Sequence, residues 1–341
     1  MNKSLTAHGN AKETPIGPNL RNAELFIQRA EFQKAKDLLQ KQLDQGADDF
    51  RTWNLLGICL ARTEAFDQAA AIFKRFSEAR IGKAERHKAL FNQGLVVFFR
   101  DLKEYGDHRV ANTFRALPAG EPTLAVPETG FREAVDLWFA LLKRRTAAGD
   151  ILHTHLAFAF LQRGEFDHAL MCIRNALSTS EQFYLTQYVL GCMFLDLYFL
   201  ATEQNHWLID KDTAEFFEIE NYEVLFTNGP LHAVQKETYL EIAMQAFLEG
   251  HRQNPFSVVT TLALCRTYLI AGLLEEGFEV LAHAESLAPE YVSVLETALV
   301  FHQQAGAPPQ TIISLLNRIR EQRLLTPQRP VTRILPPHYQ F

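Results

Sequence analysis

The sequence has few cysteines, no basic excess and no hydrophobic run long enough to cross a membrane. Its four cysteines lie far apart and form no CxxC pair, which argues against a zinc site and a disulfide framework. The net charge is −6 and the main body has no basic stripe, so a nucleic-acid partner is not expected. The most apolar stretch, residues 188–201, has only 14 residues and contains an aspartate, too short for a membrane span.

Signals for export and catalysis are also lacking. The first 20 residues are polar and have no apolar core of a signal peptide, and we expect residues 1–15 to be a disordered N-terminal segment. Isolated cysteines are typical of free thiols in a reducing compartment, so a cytoplasmic location is predicted. No P-loop, dinucleotide-binding, nucleophile-elbow or metalloprotease motif occurs.

One histidine pair was considered as a metal site. His153 and His155 flank a threonine, but residues two apart on a helix point in different directions and make a poor pair of ligands. The sequence therefore predicts no catalytic residues, no metal and no cofactor, and we expect a protein that is not an enzyme.

What the chain does contain is a recurring arrangement of small and bulky residues. In residues 53–73 it reads W-x2-L-G-x2-L and then A-x3-F, with Gly57, Ala69 and Phe73 at the defining positions. Glycine inside a helix costs about 1 kcal/mol relative to alanine. A close helix crossing, which requires small side chains on both helices, explains why a glycine is placed there.

The same three positions can be found along most of the chain. The first small position is filled elsewhere by Ala23, Gly94, Ala157, Gly191 and Cys265. The second small position is filled by Ala35, Ala134, Ala169, Ala243 and Gly277. The bulky position is filled by Leu39, Trp138, Ile173, Phe247, Leu281 and Leu315.

The spacing of these positions indicates the architecture. Intervals of 34 residues separate three pairs, namely Ala23 and Gly57, Ala157 and Gly191, and Ala243 and Gly277. This period and pattern resemble the tetratricopeptide repeat (TPR) family over residues 16–325. The resemblance implies an all-α, right-handed superhelical solenoid of about seven antiparallel helix pairs. The seventh unit has large residues at the small positions and is interpreted as a cap.

Two insertions interrupt the repeat, near residues 102–130 and 200–236. The first is rich in proline and is predicted to be largely loop. Over residues 202–237 the second carries eight acidic residues and two lysines, a net of −6, together with five aromatic residues. It is interpreted either as a cover over an exposed edge of the solenoid or as a docking element for a partner.

The TPR resemblance also implies which side chains face a concave groove. Those residues are Arg51, Asn54, Lys88, Phe91, Leu95, Phe98, Phe158, Leu161, Tyr188, Leu195, Leu262, Arg266 and Leu269. Most are apolar, which favours an amphipathic helix or an extended apolar segment as the ligand. We expected aspartate at position 91 or 98 to leave folding intact and to abolish binding. The alternative is that neighbouring helices, the insertions or the tail bury these positions.

The C-terminal part differs in composition from the repeats. Residues 318–341 carry five arginines and one glutamate, and residues 326–341 contain four prolines, which predicts an extended tail. The tail is expected either to lie in the groove or to be solvated.

The function predicted from these features is that of a non-catalytic adaptor or scaffold for a partner peptide or helix. A structural subunit or assembly factor of a larger complex, with possible self-association, is the second hypothesis, and a small-ligand sensor is the third.

Overall fold

A computed structural model describes residues 18–28, 31–105, 129–144, 149–179, 183–200, 208–209, 216, 222–226, 230–234 and 236–325. The predicted disordered segment at 1–15, the tail at 326–341 and most of the first insertion lie outside these residues.

Fourteen helices account for most of the described residues. They are α1 (Pro18–Gln28), α2 (Phe32–Asp44), α3 (Phe50–Arg62), α4 (Phe66–Glu78), α5 (Lys83–Tyr105), α6 (Arg132–Lys143), α7 (Gly149–Gln162), α8 (Phe166–Thr179), α9 (Tyr184–Leu200), α10 (Lys236–Gln253), α11 (Val258–Ala271), α12 (Leu274–Leu287), α13 (Val292–Gln304) and α14 (Pro309–Leu325). Among them, none is both long and apolar enough to cross a bilayer.

The helices stack in sequence order as seven pairs. Each helix packs against the next one along the chain, so that every pair is joined to the following pair. The odd-numbered first helices also touch one another, in the contacts α1 with α3, α3 with α5, α7 with α9, α9 with α11, and α11 with α13. This pattern of neighbour-only contacts is that of a helical solenoid, and the predicted all-α class holds for the repeats.

The small and bulky positions meet where the helices of one pair cross. A Cβ atom added to Gly57 would lie 2.5 Å from the Phe73 ring, and one added to Gly191 would lie 2.6 Å from the Phe247 ring. Gly94 lies against Trp138 in the same way. The glycines therefore leave room for fully buried rings on the second helix. The sequence predicts small residues on both helices at the crossing, whereas the structure places each of these glycines against the bulky residue of the second helix.

Side-chain caps fix the start of several helices. The Asp49 carboxylate accepts hydrogen bonds from the backbone N–H of Thr52 at 2.9 Å and from its hydroxyl at 2.6 Å, which caps α3. Ser257 accepts from the N–H of Thr260 at 3.3 Å at the start of α11. Gly272 ends α11 with φ of +75°, a conformation that glycine adopts at little cost.

The chain returns from the first insertion at a fixed point. A buried carboxylate, that of Asp101 near the end of α5, accepts a hydrogen bond from the N–H of Phe131 at 2.9 Å. Arg163, at the end of α7, donates to the carbonyl of Gly130 at 2.8 Å. Phe131 itself is buried and has φ of +59°, in the left-handed region. Residues 130 and 131 are therefore held by a side chain of α5 and by the arginine that follows α7.

The second insertion contains strands that the sequence analysis did not predict. They are β1 (Leu208–Ile209), β2 (Tyr222–Phe226) and β3 (Pro230–Val234), and β3 lies in the centre of an antiparallel sheet. The register places Leu208 opposite Ala233 and Val224 opposite His232. Within the described residues, strands occur only in this insertion, between the two helices of the fifth pair.

The last helix differs from its predecessors in a way that suits a chain end. In α12 the positions that are buried or half-buried include Val280, His283, Ala284 and Leu287. Exactly one repeat of 34 residues later, α14 has Ser314, Asn317, Arg318 and Glu321, of which three are exposed. A capping repeat needs a polar outer face for solubility, and these positions supply one in part, since Ile313, Leu316 and Leu324 of the same helix are exposed apolar residues.

All four cysteines are buried as free thiols. Burial raises the pKa of Cys59, Cys172 and Cys265 to about 12, and the thiolate is the reactive form. We expect no rapid reaction of the native protein with a thiol reagent such as Ellman's reagent at pH 8, and four equivalents in denaturant. Rapid release of even one equivalent from the native protein would contradict the packing described above.

Candidate partner-binding surface

The side chains predicted to line a groove mostly lie at contacts between successive first helices. Between α3 and α5, the Asn92 amide donates a hydrogen bond to Asn54 Oδ1 at 2.8 Å. Between α5 and α7, the rings of Phe98 and Phe158 have centroids 5.3 Å apart. The helices therefore approach each other through these residues.

The same holds in the later repeats. Between α7 and α9, the rings of Phe158 and Tyr188 have centroids 6.5 Å apart. Between α11 and α13, Arg266 Nε donates to Thr297 Oγ1 at 3.4 Å. The side chains at these positions thus connect repeats across the whole chain.

As a consequence, most of the predicted groove residues are buried. Nine of the thirteen are buried, namely Asn54, Phe91, Phe98, Phe158, Leu161, Tyr188, Leu195, Leu262 and Leu269. Leu95 and Arg266 are half-buried, and only Arg51 and Lys88 are exposed.

The expectation that aspartate at position 91 or 98 would spare folding is therefore wrong. The Phe91 ring lies 6.3 Å from Trp138 and 5.1 Å from His155, measured between centroids. Phe98 is only 1 % exposed and belongs to the main hydrophobic core. A carboxylate at either position would be a buried charge, with a large cost in stability.

An open cavity remains on the first helices of the first three pairs. It has a volume of about 490 Å³ and contains three of the predicted residues, Arg51, Asn54 and Lys88. The complete lining is Glu24, Phe50, Arg51, Asn54, Leu55, Ile58, Ala84, Glu85 and Lys88. We call this the α1–α3–α5 cavity.

The cavity is built from equivalent positions of consecutive repeats. Phe50 and Ala84, Arg51 and Glu85, and Asn54 and Lys88 are each 34 residues apart. Glu24 and Ile58 form a fourth such pair. The thirteen predicted site residues do not include the other six lining residues, which are Glu24, Phe50, Leu55, Ile58, Ala84 and Glu85. Shifting the predicted residues by one period would have found only Glu85, from Arg51.

Charges of both signs meet in the cavity. Arg51 donates two hydrogen bonds to Glu24 Oε1, from Nη2 at 2.6 Å and from Nε at 3.1 Å. Lys88 has no ion pair with any described residue. Partial burial, and secondly the nearby Arg51, lower the pKa of the Lys88 ammonium. An anionic group that enters the cavity would raise the pKa of Lys88 again.

Of the two histidines at the candidate metal pair, His153 and His155, the second packs in the core. His155 is buried, and its Nδ1 is 2.7 Å from the carbonyl of Ile151, an acceptor, so Nδ1 carries the proton. Its ring packs edge-on against Phe91 and Trp138. Burial lowers the pKa of His155 to about 4, which keeps the ring neutral at pH 7. The described part of the chain holds no group of three or more residues suited to a metal ion.

Comparison with known proteins gives no sequence family but several structural neighbours. No family model matches the sequence, and no curated protein matches it. The structure is similar to a monomeric mutant of IFIT1 with Gppp-AAAA, with a TM-score of 0.56 at 13% identity. This match covers 85% of the present chain and 55% of the IFIT1 chain.

Two further neighbours have lower scores. MamA 41-end from Desulfovibrio magneticus RS-1 has a TM-score of 0.37 at 11% identity, covering 71% of this chain and 97% of its own. YrrB, described as a TPR protein with an unusual peptide-binding site, has a TM-score of 0.35 at 14% identity, covering 76% and 97%. At such identities the likeness concerns the fold alone.

Three features of the molecule define its fold. Seven described helix pairs stack in order, a 34-residue period recurs, and a glycine on one helix faces an aromatic ring of the other in three of the pairs. The chain is an α-solenoid of antiparallel helix pairs, and its described residues include a small sheet in the second insertion.

Proposed function

We propose that the protein is a non-catalytic scaffold that binds an extended segment of a partner protein in the α1–α3–α5 cavity. The observation that carries this proposal is the cavity itself, about 490 Å³ and open to solvent, on the helix face where the sequence predicts a groove. A repeat solenoid presents a rigid surface for a ligand, which needs no covalent chemistry.

The lining favours a segment with an acidic group next to an apolar one. Lys88 and Arg51 supply positive charge, and only Arg51 has a described carboxylate partner. Phe50, Leu55 and Ile58 supply apolar surface beside them. The proposed site has fewer residues than the apolar groove predicted from the sequence, because the apolar residues of the other repeats are buried.

The test compares two charge reversals at exposed lysines. Lys88→Glu places an anion in the cavity, whereas Lys74→Glu, on the second helix α4, makes the same change outside it. Proteins captured from lysate by the wild-type chain are identified by mass spectrometry, and affinity is then measured with the purified partner. We expect Lys88→Glu to weaken binding about tenfold or more and Lys74→Glu to leave it unchanged.

Other outcomes would separate the alternatives. Equal binding by both variants would place the partner elsewhere and refute the cavity as the site. A bound small molecule found by native mass spectrometry, lost in Lys88→Glu, would favour the sensor hypothesis.

A nucleic-acid probe is part of the same experiment. The IFIT1 structure contains Gppp-AAAA, whereas the present chain has a net charge of −6. We expect no binding of a Gppp-capped RNA at 0.15 M salt, because phosphate contacts need a basic surface. Saturable binding that Lys88→Glu removes would replace the protein partner with RNA.

A further inference from the structure

Basic side chains gather where the start of α5 meets the end of α6. Helix α5 begins at Lys83 and continues through Arg86 and His87, and Arg144 directly follows the last residue of α6. Lys83 and Arg144 are exposed, whereas Arg86 and His87 are half-buried. We call these four residues the α5–α6 basic cluster.

The antiparallel packing of the two helices brings the cluster together. Gly94 of α5 lies against Trp138 of α6, and Trp138 Nε1 donates a hydrogen bond to the carbonyl of Phe91 at 3.3 Å. His87 precedes Gly94 by about two helical turns, so it lies on the same face of α5, about 10 Å toward the start of the helix. Arg144 follows Trp138 by about 9 Å along α6. Because the helices run in opposite directions, both residues lie at the same end of the pair.

The cluster has no counterion among the described residues. No hydrogen bond or ion pair joins the side chains of its four members to any part of the chain that the structure describes. The nearest carboxylate in the sequence, that of Glu85, accepts a hydrogen bond from the N–H of Gly82 at 3.2 Å. By contrast, Arg100 farther along α5 pairs with Glu133 of α6 at 3.0 Å. The two helices therefore neutralise an arginine at one end of their contact and leave the cations at the other end unpaired.

This placement of cations is unfavourable in the protein alone. Lys83 and Arg86 lie in the first turn of α5, where the helix dipole disfavours positive charge. Lys83 and His87 are four residues apart, a spacing at which like charges on a helix repel each other. Burial, and then the other three members of the cluster, lower the pKa of His87. An anion bound among the four side chains would remove this repulsion and favour the protonated ring of His87.

The chemistry of the cluster suits a phosphoryl group. A guanidinium donates two parallel N–H bonds to phosphate oxygens, and a lysine ammonium adds a compact positive charge. A phosphate monoester carries about −1.5 to −2 charges at pH 7 and three acceptor oxygens. Three permanent cations and a histidine that can gain a proton match this charge better than they match the single charge of a carboxylate.

We propose that the α5–α6 basic cluster binds a phosphoryl group, either as free inorganic phosphate or on a phosphorylated side chain of a partner protein. The proposal is independent of the α1–α3–α5 cavity, whose lining contains none of the four side chains.

The test is an NMR titration of the histidine rings in the full chain. The pKa of His87 is measured with inorganic phosphate and with chloride at the same ionic strength, and its signal is identified by its loss in His87→Gln. We expect saturable phosphate binding with a Kd of about 1 mM and a higher pKa of His87 in phosphate than in chloride. The exposed His168 on α8 serves as the internal reference, and its pKa should be the same in both salts.

Two arginine variants of α6 test the position of the site. Arg144→Gln removes a cation of the cluster and is expected to weaken phosphate binding about tenfold. Arg132→Gln removes an exposed arginine at the opposite end of the helix and should leave binding unchanged. Because both side chains are exposed, both variants should keep the wild-type melting temperature in chloride, which circular dichroism checks.

A tripeptide that contains phosphoserine distinguishes the two sources of the phosphoryl group. Tighter binding of this peptide than of inorganic phosphate assigns the cluster to a phosphorylated protein, and weaker binding assigns it to the free anion. The same pKa of His87 in phosphate and in chloride would overturn the proposal. Equal weakening by Arg132→Gln and Arg144→Gln would also overturn it, because phosphate would then respond to the overall charge of the protein.

Discussion

Gly57→Leu is expected to lower the stability of the first three helix pairs by about 3 kcal/mol or more. The first added atom already meets the Phe73 ring at 2.5 Å, and Phe73 is 1% exposed, so it has nowhere to move. Overpacking a core costs typically 1–3 kcal/mol, and a leucine adds three more carbons to the clash. Better helix propensity returns only about 1 kcal/mol.

The readout must be local, because solenoids of this length do not unfold in one step. Hydrogen exchange followed by mass spectrometry should show lost protection in α3, α4 and α5 and unchanged protection in α11, α12 and α13. Gly149→Ala is the control, since no atom lies within 4 Å of its added Cβ. That variant should change stability by less than about 0.5 kcal/mol.

A double-mutant cycle identifies Phe73 as the obstacle. Gly57→Ala and Phe73→Leu should each destabilise the crossing, and the combined variant should lose less than the sum by about 1 kcal/mol. Strictly additive losses would show that the small residue is needed for another reason, and the helix register drawn from the repeat would have to be revised.

Acidification is expected to remove about 3 kcal/mol of stability through His155 alone. The folded protein holds its pKa at about 4, against an ordinary value of 6.5, because the ring is buried. Between pH 6.5 and pH 4, His155 is therefore mostly protonated in the unfolded chain and mostly neutral in the folded chain. Stability is complete above pH 6.5 and falls as the pH drops toward 4, at about 1.4 kcal/mol for each unit of pKa difference.

Other histidines act in the same direction but more weakly. Burial also lowers the pKa of His153 and His251. Asp101 opposes them, since burial raises its pKa and makes it easier to protonate in the folded state. Comparing the wild type with a His155 variant separates the contribution of His155 to the pH dependence from that of these groups.

Urea unfolding at pH 7 and pH 4.5, with hydrogen exchange of α7 as the local probe, measures this effect. His155→Leu is expected to flatten the pH dependence by about 2–3 kcal/mol, whatever its effect at pH 7. His168→Gln, which changes an exposed histidine on α8, is the matched control. Parallel pH curves for wild type and His155→Leu would show that folding does not lower the pKa of His155.

The repeat architecture could be predicted because its determinants are local and periodic. A glycine such as Gly57 or Gly191 is costly in a helix, so the recurrence of a small residue 34 positions away, at Ala23 and Ala157, signals a crossing. The helix positions followed from these crossings. The sheet was missed because it lies in a segment outside the period, although Asn228-Gly229 between two apolar runs is a hairpin signal.

The candidate site was only partly predictable, for a different reason. Whether Phe98 lines a groove or fills a core depends on the distance between α5 and α7, and that distance depends on side chains from both repeats. The family resemblance therefore predicted which sequence positions belong to this helix face, but it did not predict which of their side chains are exposed. Arg51 and Lys88 remain accessible because charged side chains extend toward water from the same positions.

The fixed return of the first insertion has a consequence for how the chain tolerates change in length. Tyr105 ends α5, and the carboxylate of Asp101 and the guanidinium of Arg163 hold Phe131 and Gly130 in place on the far side. Both ends of the intervening stretch are thus set by the repeats themselves. The entropic cost of closing a flexible connection between two fixed points rises only with the logarithm of its length, so doubling that length costs about 0.6 kcal/mol. We expect that foreign sequence inserted between these two points costs little free energy of unfolding and leaves the stacking of the helix pairs unchanged.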